Sequence, residues 1–143
     1  MKRRLIALVV LAALVSGCAA GRSFRKGRES ARTGDWDTAV QHYTAARQAS
    51  PDNAEYKIEL ERAMQNASRD HISKARDLEA KDQLDAALLE YKKAVEMDGS
   101  NRLAATRAAE LERIIRDRIE KSRPRPAIEK MRQQARTQGV PVL

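Results

Sequence analysis

The chain has 143 residues, 34% of them charged and only 3% aromatic, with a formal net charge of +8. That length sustains one small domain, and so few rings exclude a large aromatic-filled core. Lys2, Arg3 and Arg4 open the chain, residues 18–101 carry 14 basic and 15 acidic side chains, and residues 102–143 carry 11 and 5. The excess therefore belongs to the ends. Nucleic-acid binding calls for a basic patch with base-stacking aromatics, and the basic tail has no aromatic at all. Packing falls to alanine and leucine at helical spacing, which points to a thin, all-α array.

Met1–Cys18 reads as a targeting segment. Lys2-Arg3-Arg4 precedes an unbroken apolar run of eleven residues, Leu5–Val15. A settled transmembrane helix needs roughly 20, so the run suits a signal-peptide core. Leu14-Val15-Ser16-Gly17-Cys18 resembles a bacterial lipobox. The resemblance implies a lipoprotein signal peptide over 1–17, diacylglyceryl transfer to Cys18, cleavage before it, and acylation of the new amino terminus by a chain such as palmitate. Several acyl chains make a stable anchor where one is marginal. Ala19, standing where an aspartate would direct inner-membrane retention, implies the outer membrane. Cys18 is the only cysteine, so no intramolecular disulfide is available.

Ala20–Thr33 is expected to be helical, with Arg22, Arg25, Lys26, Arg28 and Arg32 set against Glu29. Gly34-Asp35 is a turn, with Asp35 the N-cap of a second helix over Trp36–Ala49. Trp36, Ala39, Tyr43 and Ala46 share one face of it. Ser50-Pro51-Asp52-Asn53 ends that helix. Ala54–Lys81 runs 28 residues without glycine or proline, with Tyr56, Leu60, Met64, Ala67, His71, Ala75 and Leu78 at three- and four-residue intervals. Two arrangements fit: one helix of ~42 Å, or a break near Asn66-Ala67-Ser68. Those residues make only a soft stop, which favours the continuous helix.

Gln83–Met97 is expected to form the next helix, and it repeats the pattern of Trp36–Ala49: Leu84, Ala87, Tyr91 and Ala94 share a face. Gly99-Ser100-Asn101 opens a charged helix over Arg102–Lys121, whose apolar side reads as Leu103, Ala108, Leu111, Ile114, Ile115 and Ile119. It would cap the array's open face. Ser122-Arg123-Pro124-Arg125-Pro126 is a linker, since two prolines interrupt any helix. Ala127–Thr137 is a short basic helix. The apolar close Val140-Pro141-Val142-Leu143 is what a chain cut short of a further domain would show.

The two copies, with their small residues, tyrosine and turn punctuation, resemble tetratricopeptide repeats. Gly27, Gly34, Ala39, Tyr43, Ala46 and Pro51 carry the resemblance in repeat one, Ala20–Asn53; Ala75, Ala87, Tyr91 and Ala94 carry it in repeat two, Ser68–Asn101. The second copy departs at Asp82, where glycine is usual, and at Gly99, where proline is usual. Ala39 and Ala87 lie 48 positions apart against a family period of about 34. The surplus, Ala54–Ala67, is one extra helix's length. The implied fold is an antiparallel helix-pair solenoid with one long central helix, occupying 18–121, with a basic Pro-containing linker and tail over 122–143. In that family the first helix of each pair lines a peptide-binding groove. The resemblance thereby assigns Phe24, Arg28 and Arg32 in repeat one, and Arg69, Ile72, Arg76 and Glu79 in repeat two, to a groove for protein partners.

The sequence offers no catalytic set. No Ser/His/Asp arrangement, phosphate loop or cysteine cluster is present, and no cofactor, metal or small-molecule substrate is expected. His42 and His71 read as satisfied or solvated, and Asp35/Asp37 and Asp82/Asp85 as helix-start acids. The order of lipobox, repeats and basic linker resembles the N-terminal part of lipidated secretin-type proteins of type II secretion and type IV pilus systems. The expectation is a non-enzymatic scaffold, lipid-anchored in the outer membrane and facing the periplasm. Two alternatives stand beside it: a free-standing tetratricopeptide lipoprotein assisting outer-membrane protein assembly, and a peptidoglycan-associated structural or helper protein.

Overall fold

The architecture is that of a computed structural model, which describes residues 19–123 and 127–137. Among them every regular element is an α-helix: α1 (residues 19–32), α2 (Trp36–Ala49), α3 (Ala54–Ala80), α4 (Leu84–Met97), α5 (Arg102–Ser122) and α6 (Ala127–Thr137). The chain is an all-α, repeat-like array in which α1 to α5 pack in succession, while the described side chains of α6 are largely exposed. The leader, Cys18, residues 124–126 and the apolar end lie outside the described residues.

Helix boundaries follow from local chemistry. Asp35, Asn53 and Asn101 each accept a hydrogen bond at 3.2 Å from the backbone N–H three residues on, satisfying donors that a helix start leaves open. Gln83 makes no such bond. The two helix-pair turns share one C-cap geometry: Asp35 N–H donates to the Ser30 carbonyl at 3.0 Å, and Gln83 N–H to that of Leu78 at 2.9 Å. These Schellman turns need a left-handed residue, supplied by Gly34 (φ 80°) and Asp82 (φ 56°). Asp82 is therefore not a helix-start acid; it holds the position glycine takes in the first copy. Arg118 of α5 donates to both of its oxygens, at 3.0 and 2.8 Å.

The core falls into two clusters. Phe24, Ala39, Tyr43, Ala46, Leu60 and Ala63 join α1, α2 and the first half of α3. Ile72, Ala75, Ala87, Tyr91, Ala94, Ala104, Ala108 and Leu111 join the second half of α3 to α4 and α5. Ala39, Ala46, Ala87 and Ala94 are all fully buried, so small residues set the spacing and tyrosines fill the gaps. Helix α3 is continuous over 27 residues, about 40 Å. Its first half closes the first pair and its second half opens the next, which is why 48 positions separate the copies. Helix α5 repeats the role of the first half of α3. Its buried stripe is Ala104, Ala108 and Leu111; Leu103 and Ile119, expected on that side, are 50% and 55% exposed. The three small or branched buried residues already fill the seam, and the helix turns the neighbouring positions outward.

Candidate functional site

Buried tyrosines make the floors of two grooves. The first, about 720 Å³, lies between α1 and α3 and is lined by Arg25, Arg28 and Arg32 of α1, Tyr43 of α2, and Glu55, Glu59 and Arg62 of α3. The second, about 540 Å³, lies between α3 and α5 and is lined by Arg76 and Glu79, Tyr91 of α4, and Arg102, Leu103, Thr106, Arg107 and Glu110. A smaller hollow beside it carries Arg69, Ile72 and Ser73. A shift of 48 positions maps Arg28 onto Arg76, Tyr43 onto Tyr91, Glu59 onto Arg107 and Arg62 onto Glu110.

The close approach of α1 to this floor depends on Gly27. A Cβ built there would lie 2.7 Å from two Tyr43 ring carbons, so only glycine lets the ring lie flat on the helix. Phe24 holds the other side, its centroid 5.4 Å from that of Tyr43 and 4.6 Å from that of Tyr56. Burial pushes the Tyr43 hydroxyl's pKa up; Glu59 adds to this, while Arg28 and Arg62 oppose it.

The residues assigned to a groove from sequence divide into three groups. Arg28, Arg32, Arg69 and Arg76 are exposed on groove walls. Phe24 and Ile72 touch the hollows, but their side chains are buried in the two core clusters, because they stand on the face of the first helix that meets the tyrosine. Glu79 is consumed internally. It accepts from the Tyr91 hydroxyl at 2.8 Å and from Arg107 Nε at 2.9 and 3.1 Å, with Arg107 Nη2 closing the fork. The Arg107 hydrogen bond is the main cause of its lowered carboxyl pKa, outweighing burial. Arg32 pairs with Glu29 and Arg62 with Glu59, both at 2.9 Å. Arg25, Arg28, Arg76 and Arg102 form no ion pair among the described residues.

His71 is not a bystander. It is 3% exposed, with Nδ1 2.7 Å from Glu90 Oε2 and Nε2 3.0 Å from Asp37 Oδ1. An ionised carboxylate only accepts, so satisfying both contacts needs a proton on each ring nitrogen or one on a carboxyl group. Burial raises the Glu90 carboxyl, but hydrogen bonds from Lys93 and His71 outweigh it and leave a net lowering. Asp37 is thus a strut from α2 through α3 to α4 as well as a first-turn acid. Next to it the Ser68 hydroxyl donates to the Ala94 carbonyl at 2.9 Å.

Among the described residues no group of three or more His, Cys, Asp and Glu is placed to hold a metal ion, and no helix is long and apolar enough to cross a membrane. Compared with known families and curated proteins, the chain matches no family model and no curated sequence.

Proposed function

We propose that the chain is a non-enzymatic scaffold of tetratricopeptide type that binds acidic segments of protein partners along its grooves. The observation that carries this reading is the pair of unmatched arginines in each groove, Arg25 and Arg28 in one and Arg76 and Arg102 in the other. Elsewhere on the array some exposed cations are paired, Lys74 with Asp70, Lys92 with Glu112 and Lys93 with Glu90, each at 2.7 Å. Others, such as Arg47 and Lys57, have no ion pair among the described residues. The groove arginines are set apart by converging beside a buried tyrosine. Guanidinium groups left free beside a tyrosine floor suit charge-assisted binding of carboxylates. The lipobox-like sequence supports a lipid anchor at Cys18, on the periplasmic face of the outer membrane. The resemblance in segment order supports a role in type II secretion or type IV pilus assembly.

The test is co-precipitation from bacterial envelope extract, followed by titration of the partner captured. Reversing one arginine in each groove, Arg28→Glu with Arg76→Glu, should cost tenfold or more in affinity at an unchanged melting temperature. Arg123→Glu with Arg125→Glu should weaken binding only at low salt, where exposed charges are least screened. The reverse pattern would make the array a spacer and the tail the contact.

A further inference from the structure

The two grooves share a plan and differ at a telling position. In the second, Glu79 sits between the Tyr91 hydroxyl and the Arg107 guanidinium, with the positive field of Arg76 also acting on it. Forty-eight positions earlier, Tyr43 stands for Tyr91, Arg28 for Arg76, and Ala31 for Glu79. The first groove keeps the tyrosine and the arginine and has no carboxylate at the Glu79 position, although Glu29, Glu55 and Glu59 stand on its walls.

Its tyrosine hydroxyl correspondingly has no internal partner. Tyr43 is 2% exposed, lines the groove, and its hydroxyl has no hydrogen-bond partner among the described residues. No fully buried polar side-chain atom among them lacks a partner. The Tyr43 hydroxyl is therefore the part of the ring that reaches the groove, where water or a bound group completes it. Glu59 is the strongest charge acting on that hydroxyl, and Arg28 and Arg62 oppose it. Glu59 occupies the place of Arg107 and is paired with Arg62, so of the two arginines acting on the hydroxyl only Arg28 has no ion pair among the described residues.

We propose that the first groove binds a carboxylate side chain from an acidic segment of a protein partner, the Tyr43 hydroxyl donating to it and Arg28 supplying the charge. Glu79 is the internal counterpart of that ligand, and it keeps the second groove's floor occupied. Peptide contacts of the second groove are then confined to its rim, at Arg76 and Arg102. The proposal deepens the scaffold reading and rests on it.

The experiment is a polarisation titration of fluorescein-labelled octaglutamate with the full-length chain at about 0.15 M salt, with octaglutamine as the uncharged control. Tyr43→Phe keeps the ring and every charge and removes only the donor. It should weaken octaglutamate binding about tenfold or more at an unchanged melting temperature. Ala31→Glu installs an internal carboxylate where Glu79 has its own, and should abolish binding while the chain remains folded by circular dichroism. Octaglutamine should not bind. Tyr43→Phe binding as tightly as wild type would overturn the proposal, since a diffuse basic surface ignores a neutral hydroxyl. So would a wild-type chain that ignores octaglutamate. If an envelope partner is lost on reversing Arg28 and Arg76 yet retained by Tyr43→Phe, the carboxylate site falls and the scaffold stands.

Discussion

Replacing Gly27 by alanine tests how closely α1 lies on the first tyrosine. Two opposed effects must be weighed. Alanine in a helix is favoured over glycine by about 1 kcal/mol. The new Cβ would sit 2.7 Å from Cδ1 and Cε1 of Tyr43 and 3.1 Å from Cγ, so the ring or the helix must move by several tenths of an ångström. The ring cannot swing aside: it is 2% exposed and backed by Phe24. Overpacking of this kind costs about 1–3 kcal/mol, which leaves a net loss of up to about 2 kcal/mol after the helix gain. Gly21 supplies the control, since a Cβ there meets nothing within 4 Å. Gly21→Ala should collect the helix gain alone. Thermal melts followed by circular dichroism should place Gly27→Ala below Gly21→Ala, with roughly 4–8 °C for each kcal/mol at this domain size. Coincident melts would show that α1 does not lie on Tyr43 at the distance described.

Three further outcomes are expected. Glu79→Gln should destabilise by about 1–2 kcal/mol at pH 7, because it loses charge-assisted bonds to a partly exposed Arg107. The Glu79 carboxyl pKa is lowered by that arginine, so its contribution is full above the ordinary carboxyl value and vanishes as pH falls through the lowered one. Urea melts of the two proteins should converge in acid, and a constant gap would refute the pairing. Asp82→Gly should be neutral or stabilising by up to about 1 kcal/mol, whereas Gly34→Ala should lose a similar amount, since both positions have positive φ. Cys18→Ser should abolish labelling by a palmitate analogue and release the protein from the membrane fraction; retention there would place the anchor elsewhere.

The all-α class, the helix ends and the unbroken course of α3 were legible in the chain because each rests on chemistry within a turn or two. Apolar residues three and four apart define a face, an Asp or Asn side chain reaches an N–H three residues on, and a soft Asn-Ala-Ser stretch does not stop a helix. Gly34 announces its left-handed backbone by being glycine. Asp82 adopts the same conformation without announcing it, and only comparison with the first copy hints at the turn. Arg28, Arg32, Arg69 and Arg76 were assigned to a groove only through the resemblance to tetratricopeptide repeats.

Which of those cations remain available was a matter for the packed array. Pairing Arg107 with Glu79, or His71 with both Asp37 and Glu90, joins residues 28, 34 and 19 positions apart, and no local pattern sets their register. The far wall of each groove comes from the helix after next, α3 or α5, so Arg62 and Arg102 could not be placed there from a single repeat. Two nearly identical tyrosine copies also read alike along the chain. Ala31 against Glu79 is their one hint of difference, and its meaning emerges only when Glu79 reaches the Tyr91 hydroxyl and no side chain among the described residues bonds to the Tyr43 hydroxyl. Helical periodicity is a short-range property carried by each segment alone. The identity of a side chain's partner depends on how helices stack, and stacking assembles the free hydroxyl and the free arginine into one groove.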